Sequence, residues 1–149
     1  MTAATELAPL VKELTVAVPV ERAWTVFTQE IGSWWPVATH SIAPEQVREI
    51  VFEARAGGRI VERWKDGTEQ SWGEVAVCEP PHRLLFSWHP NLRRRAATEV
   101  EVTFEPVDGG TRLRLEHRGW ERLGAEGAES RSDYDGGWDY VLGRYAGGI

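Results

Sequence analysis

From Glu99 to Arg118 the chain alternates so strictly that few structures accommodate it. Val100, Val102 and Phe104 fall on one side, opposite Glu99, Glu101 and Thr103; after Asp108-Gly109-Gly110, residues Leu113, Leu115 and His117 alternate with Arg112, Arg114 and Glu116. A period of two marks a strand with one buried face. The Asp-Gly-Gly tripeptide supplies the backbone freedom of a tight turn, so the two runs read as a hairpin. An isolated hairpin is marginal in water. This one must therefore belong to a larger sheet whose apolar face is covered by something else.

More strands precede it. Leu10–Val18 sets Leu14, Val16 and Val18 against Glu13, Thr15 and Ala17, and Pro19 ends the run. Arg48–Ala54 carries Ile50 and Phe52 on one face. Arg59–Trp64 and Glu69–Cys78 flank Asp66-Gly67, a second hairpin turn, and Arg83–Trp88 follows Pro80-Pro81. Between the first strand and the rest, Val20, Ala23, Trp24 and Phe27 recur at the spacing of an amphipathic helix, with a short helix expected over Glu30–Trp35. Asn91–Ala97 reads as a basic loop and Leu123–Ser130 as a glycine-containing one. From Asp133 on, Tyr134, Trp138, Val141, Leu142 and Tyr145 recur at the spacing of a last helix. The order is β-α-α, six strands, α. One-sided strands with segregated helices predict an α+β fold, a curved antiparallel sheet of about seven strands around a long C-terminal helix.

The chain's 149 residues fit one domain, spanning 1–149. A net charge of −6 disfavours a polyanionic partner, so no nucleic acid is expected. Nor is a membrane, because no stretch reaches the ~18–20 apolar residues of a spanning helix. One cysteine, Cys78, cannot form an internal disulfide and points to a reducing, cytoplasmic setting. Eight tryptophans are many for this length. They fill an uneven core or wall an aromatic cavity.

Several segments together resemble a known family. They are Val18-Pro19-Val20-Glu21-Arg22-Ala23-Trp24, Gly57-Gly58-Arg59, Asp66-Gly67, Trp72-Gly73-Glu74-Val75, Glu79-Pro80-Pro81-His82-Arg83-Leu84, Gly110-Thr111-Arg112-Leu113, His117-Arg118-Gly119-Trp120-Glu121-Arg122 and Gly137-Trp138. In order and spacing, from about Thr15 to Ala146, they are similar to the START-like helix-grip superfamily. Within it, they resemble relatives of the activator of the 90-kDa heat-shock protein ATPase. The resemblance implies a cavity between the sheet and the last helix. Similar proteins range from lipid carriers and polyketide cyclases to chaperone co-factors, so function must be argued from the site.

Trp72, Trp88 and Trp138 come from elements that would line such a cavity, and Trp35 closes one end beside Trp24 and Trp34. The face of Trp72 is ambiguous, because Gly73, Val75 and Val77 oppose it; a bulge near Gly73 would change this. His117 shares the inner face of Leu113 and Leu115, as a hydrogen-bonded core residue, a polar anchor or an acid/base. Glu62 shares a face with Ile60 and Trp64. If that face is inner, the carboxylate is buried and must be paired; if Val61 marks the inner face, Glu62 is solvated. Trp64 follows the same alternatives. His40, His82 and His89 lie in a loop, at a turn and at a strand end, without metal-site spacing. Cys78 has no activating neighbour. Arg93-Arg94-Arg95 reads as a solvated loop. Glycine-rich nucleotide motifs and the GxSxG nucleophile motif are absent, and no cofactor or metal is expected.

Three functions follow. A binding module would hold an apolar or aromatic ligand of lipid or polyketide type at Trp35, Glu62, Trp64, Trp72, Trp88, His117 and Trp138. A protein-interaction module, homodimeric or chaperone-linked, would expose a patch built from Trp34, Trp35 and Trp120. A cofactor-free cyclase or aromatase would use His117 or Glu62 as acid/base.

Overall fold

In the computed structural model, which describes residues 7–89 and 97–149, the alternating hairpin lies inside a seven-stranded antiparallel sheet. Its strands are β6 (Thr98–Val107) and β7 (Gly110–Arg118), with Val102 opposite Leu115 and Phe104 opposite Leu113. β1 (Leu10–Val16) pairs with the far side of β7. On the other side β5 (Arg83–Trp88), β4 (Glu69–Glu79), β3 (Arg59–Trp64) and β2 (Val47–Phe52) follow in turn, so β1 and β2 are the sheet's edges. The sheet curls around its apolar face in the helix-grip manner.

Extra residues produce the curl. Ile60 pairs with Gly73 but Val61 with Ser71, which leaves Trp72 as the bulged residue. A bulge bends its strand and re-aims a side chain, and both Trp72 and Val75 consequently reach the core. Gly73 is required beside this bulge, since a Cβ there would lie 1.7 Å from the Ser87 carbonyl oxygen. The two alternatives for β3 are both realised in part: Ile60, Val61 and Glu62 are all fully buried.

The helices cover the concave face. α1 (Val20–Phe27) starts after Pro19 and buries Val20, Ala23, Trp24 and Phe27, the residues at helical spacing. α2 (Ile31–Trp34) is a single turn. The last helix begins earlier than its apolar spacing indicates. A 3-10 segment spans Trp120–Glu126, and α3 runs over Gly127–Gly147, 21 residues, the long C-terminal helix expected of the fold; the expected loop over Leu123–Ser130 and the helix start at Asp133 are corrected. The first turns of α3 are small and mostly exposed, and lack an apolar stripe. Their helicity is imposed by packing: a Cβ at Gly127 would meet the Trp120 carbonyl oxygen at 2.3 Å.

α3 is fastened near its middle and at its C-terminal end. Lys12 of β1 forms ion pairs with Asp135 and Asp139. Tyr145 donates its hydroxyl proton to the Ala23 carbonyl of α1 at 2.8 Å and packs edge-on against Phe27 and Trp34. Burial raises the Tyr145 phenol above its ordinary pKa, keeping it a donor. Trp34, Trp35 and Trp120 are 2%, 8% and 0% exposed, so the interaction patch expected from them does not exist. Among the described residues no helix is long and apolar enough to cross a membrane. The arginine cluster 93–95 lies outside the described residues.

Candidate functional site

Where α3 passes the end of β5, the core does not close. A partly open cavity of about 200 Å³ remains, and four elements line it. Trp35 follows α2, His40 and Ser41 come from the next loop, Trp88 ends β5, and Tyr134, Gly137, Trp138 and Val141 form one stripe of α3. The i, i+3, i+4, i+7 spacing of that stripe is what turns one helical face toward one space. The three indoles meet each other, with ring centroids 5.6 Å apart for Trp88–Trp138, 6.0 Å for Trp35–Trp88 and 6.4 Å for Trp35–Trp138.

A hydrogen-bond chain fixes one wall. The Trp138 indole N–H donates to His117 Nδ1 at 2.9 Å. His117 Nδ1 is therefore an acceptor, and its Nε2–H faces Thr98 Oγ1 at 2.6 Å. The threonine hydroxyl in turn donates to the Trp88 carbonyl at 3.2 Å. Every member has one role, and the chain ties β5, β6, β7 and α3 together. It requires a neutral imidazole. Burial supplies that, pushing His117 from its ordinary 6.5 down to about 3. With both nitrogens engaged and no exposure, His117 orients Trp138. Of the alternatives its sequence position left open, these contacts fit the hydrogen-bonded core residue, because both nitrogens are already engaged.

Glu62 is likewise spent on the fold. Its Oε1 accepts from the Ile42 amide at 2.7 Å and the Trp72 indole at 3.1 Å. Its Oε2 accepts from the Ala43 amide at 3.0 Å and the Trp64 indole at 2.8 Å. Four N–H donors converge on one fully buried carboxylate, which is acceptor-only when ionised. Two consequences reach the cavity. The Ile42 and Ala43 amides are held, which seats the loop carrying His40 and Ser41. Trp72 is held too, and it packs on Trp35 at 4.9 Å and on Trp88 at 5.7 Å. Of the seven residues named from sequence, Trp35, Trp88 and Trp138 line the cavity. Trp72 and His117 stand behind them, and Glu62 and Trp64 lie one layer further out.

Sequence reasoning passed over His40, Ser41 and Gly137. His40 hydrogen-bonds Thr39 Oγ1 through Nδ1 at 2.7 Å, stacks on Tyr140, and receives the Trp35 indole N–H at its carbonyl. Partial burial lowers its pKa, which favours the neutral ring. Its Nε2 would lie 3.8 Å from a Cβ placed on Gly137, so the glycine leaves room beside the imidazole. His82 and His89 do not line the cavity. Burial raises the Cys78 thiol, which disfavours a reactive thiolate. Among the described residues no cluster of His, Cys, Asp and Glu could hold a metal ion.

Residues 17–145 match the family model described as Activator of Hsp90 ATPase homolog 1-like protein. The chain belongs to this family. A member of the same fold, the anthrahydroquino-γ-pyrone synthase Txn09, is 33% identical, with 97% of this chain and 98% of that one covered at a TM-score of 0.65. MLL2253 from Mesorhizobium loti is 22% identical, covering 93% and 94%, with a TM-score of 0.66. Ms6760 from Mycobacterium smegmatis is 22% identical, covering 95% and 90%, also at 0.66. The last two share the fold with this family member. No curated protein matches the chain.

Proposed function

We propose that this protein binds a small planar aromatic molecule of polyketide type between its sheet and α3, and holds it without turnover. The cavity walled by Trp35, Trp88 and Trp138 carries this reading. Its volume of about 200 Å³ compares with the roughly 150 Å³ of a cavity that takes benzene. A fused ring system enters, and the open side lets a larger one protrude. The two acid/base candidates read from the sequence, His117 and Glu62, are both engaged in internal hydrogen bonds, which supports binding over catalysis by them. The likeness to Txn09 supports an aromatic polyketide as the ligand class.

Intrinsic tryptophan fluorescence, titrated with aromatic polyketides, flavonoids and fatty acids, tests the proposal. Saturable quenching by the aromatic compounds, weakened at least tenfold in Trp138→Leu, is expected. A flat response across the panel from folded protein would overturn it.

A second reading, ring closure on the bound molecule, draws on two observations: the synthase among the similar structures, and His40 at the cavity with a depressed pKa. Product formation from an open-chain polyketide, lost in His40→Gln with binding intact, would establish it over simple binding.

A further inference from the structure

Six of the eight indole N–H groups donate to a protein acceptor: Trp34 to the Val26 carbonyl, Trp35 to the His40 carbonyl, Trp64 and Trp72 to Glu62, Trp120 to the His117 carbonyl and Trp138 to His117 Nδ1. Trp88 breaks the pattern. It is 5% exposed, and its Nε1 is buried without a partner among the described residues. An unsatisfied buried donor costs roughly 1–3 kcal/mol, and native proteins rarely keep one without a use. This one belongs to a residue that lines the cavity. Among the described residues no acceptor lies within hydrogen-bond reach of it: the rings of Trp35, Trp72, Phe86 and Trp138 pack around the indole, and the Trp88 carbonyl is taken by Thr98.

We propose that Trp88 Nε1–H is the recognition donor for a neutral carbonyl oxygen of the ligand, so that the ligand class is fused-ring aryl ketones, quinones or pyrones. The inference rests on the reading of this cavity as the ligand site. An indole N–H only donates, so the ligand must bring the acceptor. Among the described residues no lysine or arginine lines the cavity, and burial lowers the pKa of both histidines near it, which favours their neutral forms. A carboxylate or phosphate would be desolvated there without a counter-charge; a carbonyl would not need one. The indole faces favour a flat ring beside the oxygen.

The test compares 1-indanone with indane, which share a bicyclic skeleton and differ in the carbonyl, by ¹⁵N-resolved NMR of the indole N–H signals. The Trp88 signal is assigned by its loss in Trp88→Phe. Expected is a downfield shift of that signal with 1-indanone alone, about tenfold tighter binding of the ketone than of indane, and equal binding of the two by Trp88→Phe. Equal affinities in the natural protein, or an unmoved Trp88 signal while Trp35 and Trp138 respond, would overturn the acceptor role and leave the cavity reading standing. If neither compound perturbs any of these three indoles, the cavity reading itself falls. Should Trp88→Phe fail to fold, site-selective ¹⁵N labelling of the natural protein decides the matter through the same shift.

Discussion

At the scale of single residues, two buried polar groups hold the cavity in shape, and each makes a prediction. Replacing Glu62 by Gln leaves one acceptor oxygen where four N–H groups converge and sets a donor against the others. A loss of about 3 kcal/mol is expected from the orphaned donors, read as a lowered urea midpoint. An unchanged midpoint would show that the loop is not pinned there. His117 predicts a pH dependence. Its folded pKa of about 3 lies below its ordinary 6.5, so the unfolded chain takes up the proton first as pH falls. The stabilisation is complete above pH 6.5 and is lost toward pH 3, at about 1.4 kcal/mol per unit. Between pH 6.5 and 5 this slope stands apart from the carboxylates. Below that, Glu69, Glu101 and Asp135, whose pKa values are lowered by their cationic partners, add to it. His117→Gln should flatten the upper part of the curve in denaturant titrations at stepped pH.

Alternation alone placed His117 and Trp88 on the inner face, because each lies in a strand whose period is unbroken nearby. It could not resolve Glu62 and Trp72, because a bulge shifts the register between their strands and no local signal marks where the extra residue falls. His40 and Ser41 were illegible for a different reason. Their place depends on amides at Ile42 and Ala43 meeting a carboxylate 20 and 19 residues away, respectively, a contact that no periodicity encodes.

Among the elements, α3 departs furthest from its sequence. Gly136 and Gly137 argue against helix in isolation, yet the helix runs through both. Gly136 is exposed, with open space where a Cβ would go. Gly136→Ala should therefore stabilise the protein by about 0.5–1 kcal/mol, seen as a raised thermal midpoint. Gly127→Ala has the opposite sign, because its Cβ would collide with the Trp120 backbone, which has no rotamer with which to move aside. The hairpin β6–β7 was legible in full because pattern and turn chemistry agree there. α3 was legible only where it carries large apolar residues, since its first turns are held from outside.

For the whole molecule, a ligand that binds only the folded chain raises its stability by mass action. At one hundred times its dissociation constant the gain is about 2.7 kcal/mol, and calorimetry with an aryl ketone should report a corresponding rise in the midpoint. A hydrocarbon of equal size should need a higher concentration for the same rise.

The pairing of Leu10 with His117 across the sheet has a kinetic consequence. The first strand finds its partner only after more than a hundred intervening residues have been made, and contacts so distant along the chain slow folding. α3 follows every strand, so during synthesis the part of the concave face that α3 covers, beside Trp88, stays uncovered until that helix leaves the ribosome. The nascent sheet is a sticky surface through most of its own production, and it loses that character only when Tyr145 finds Ala23 and the grip closes.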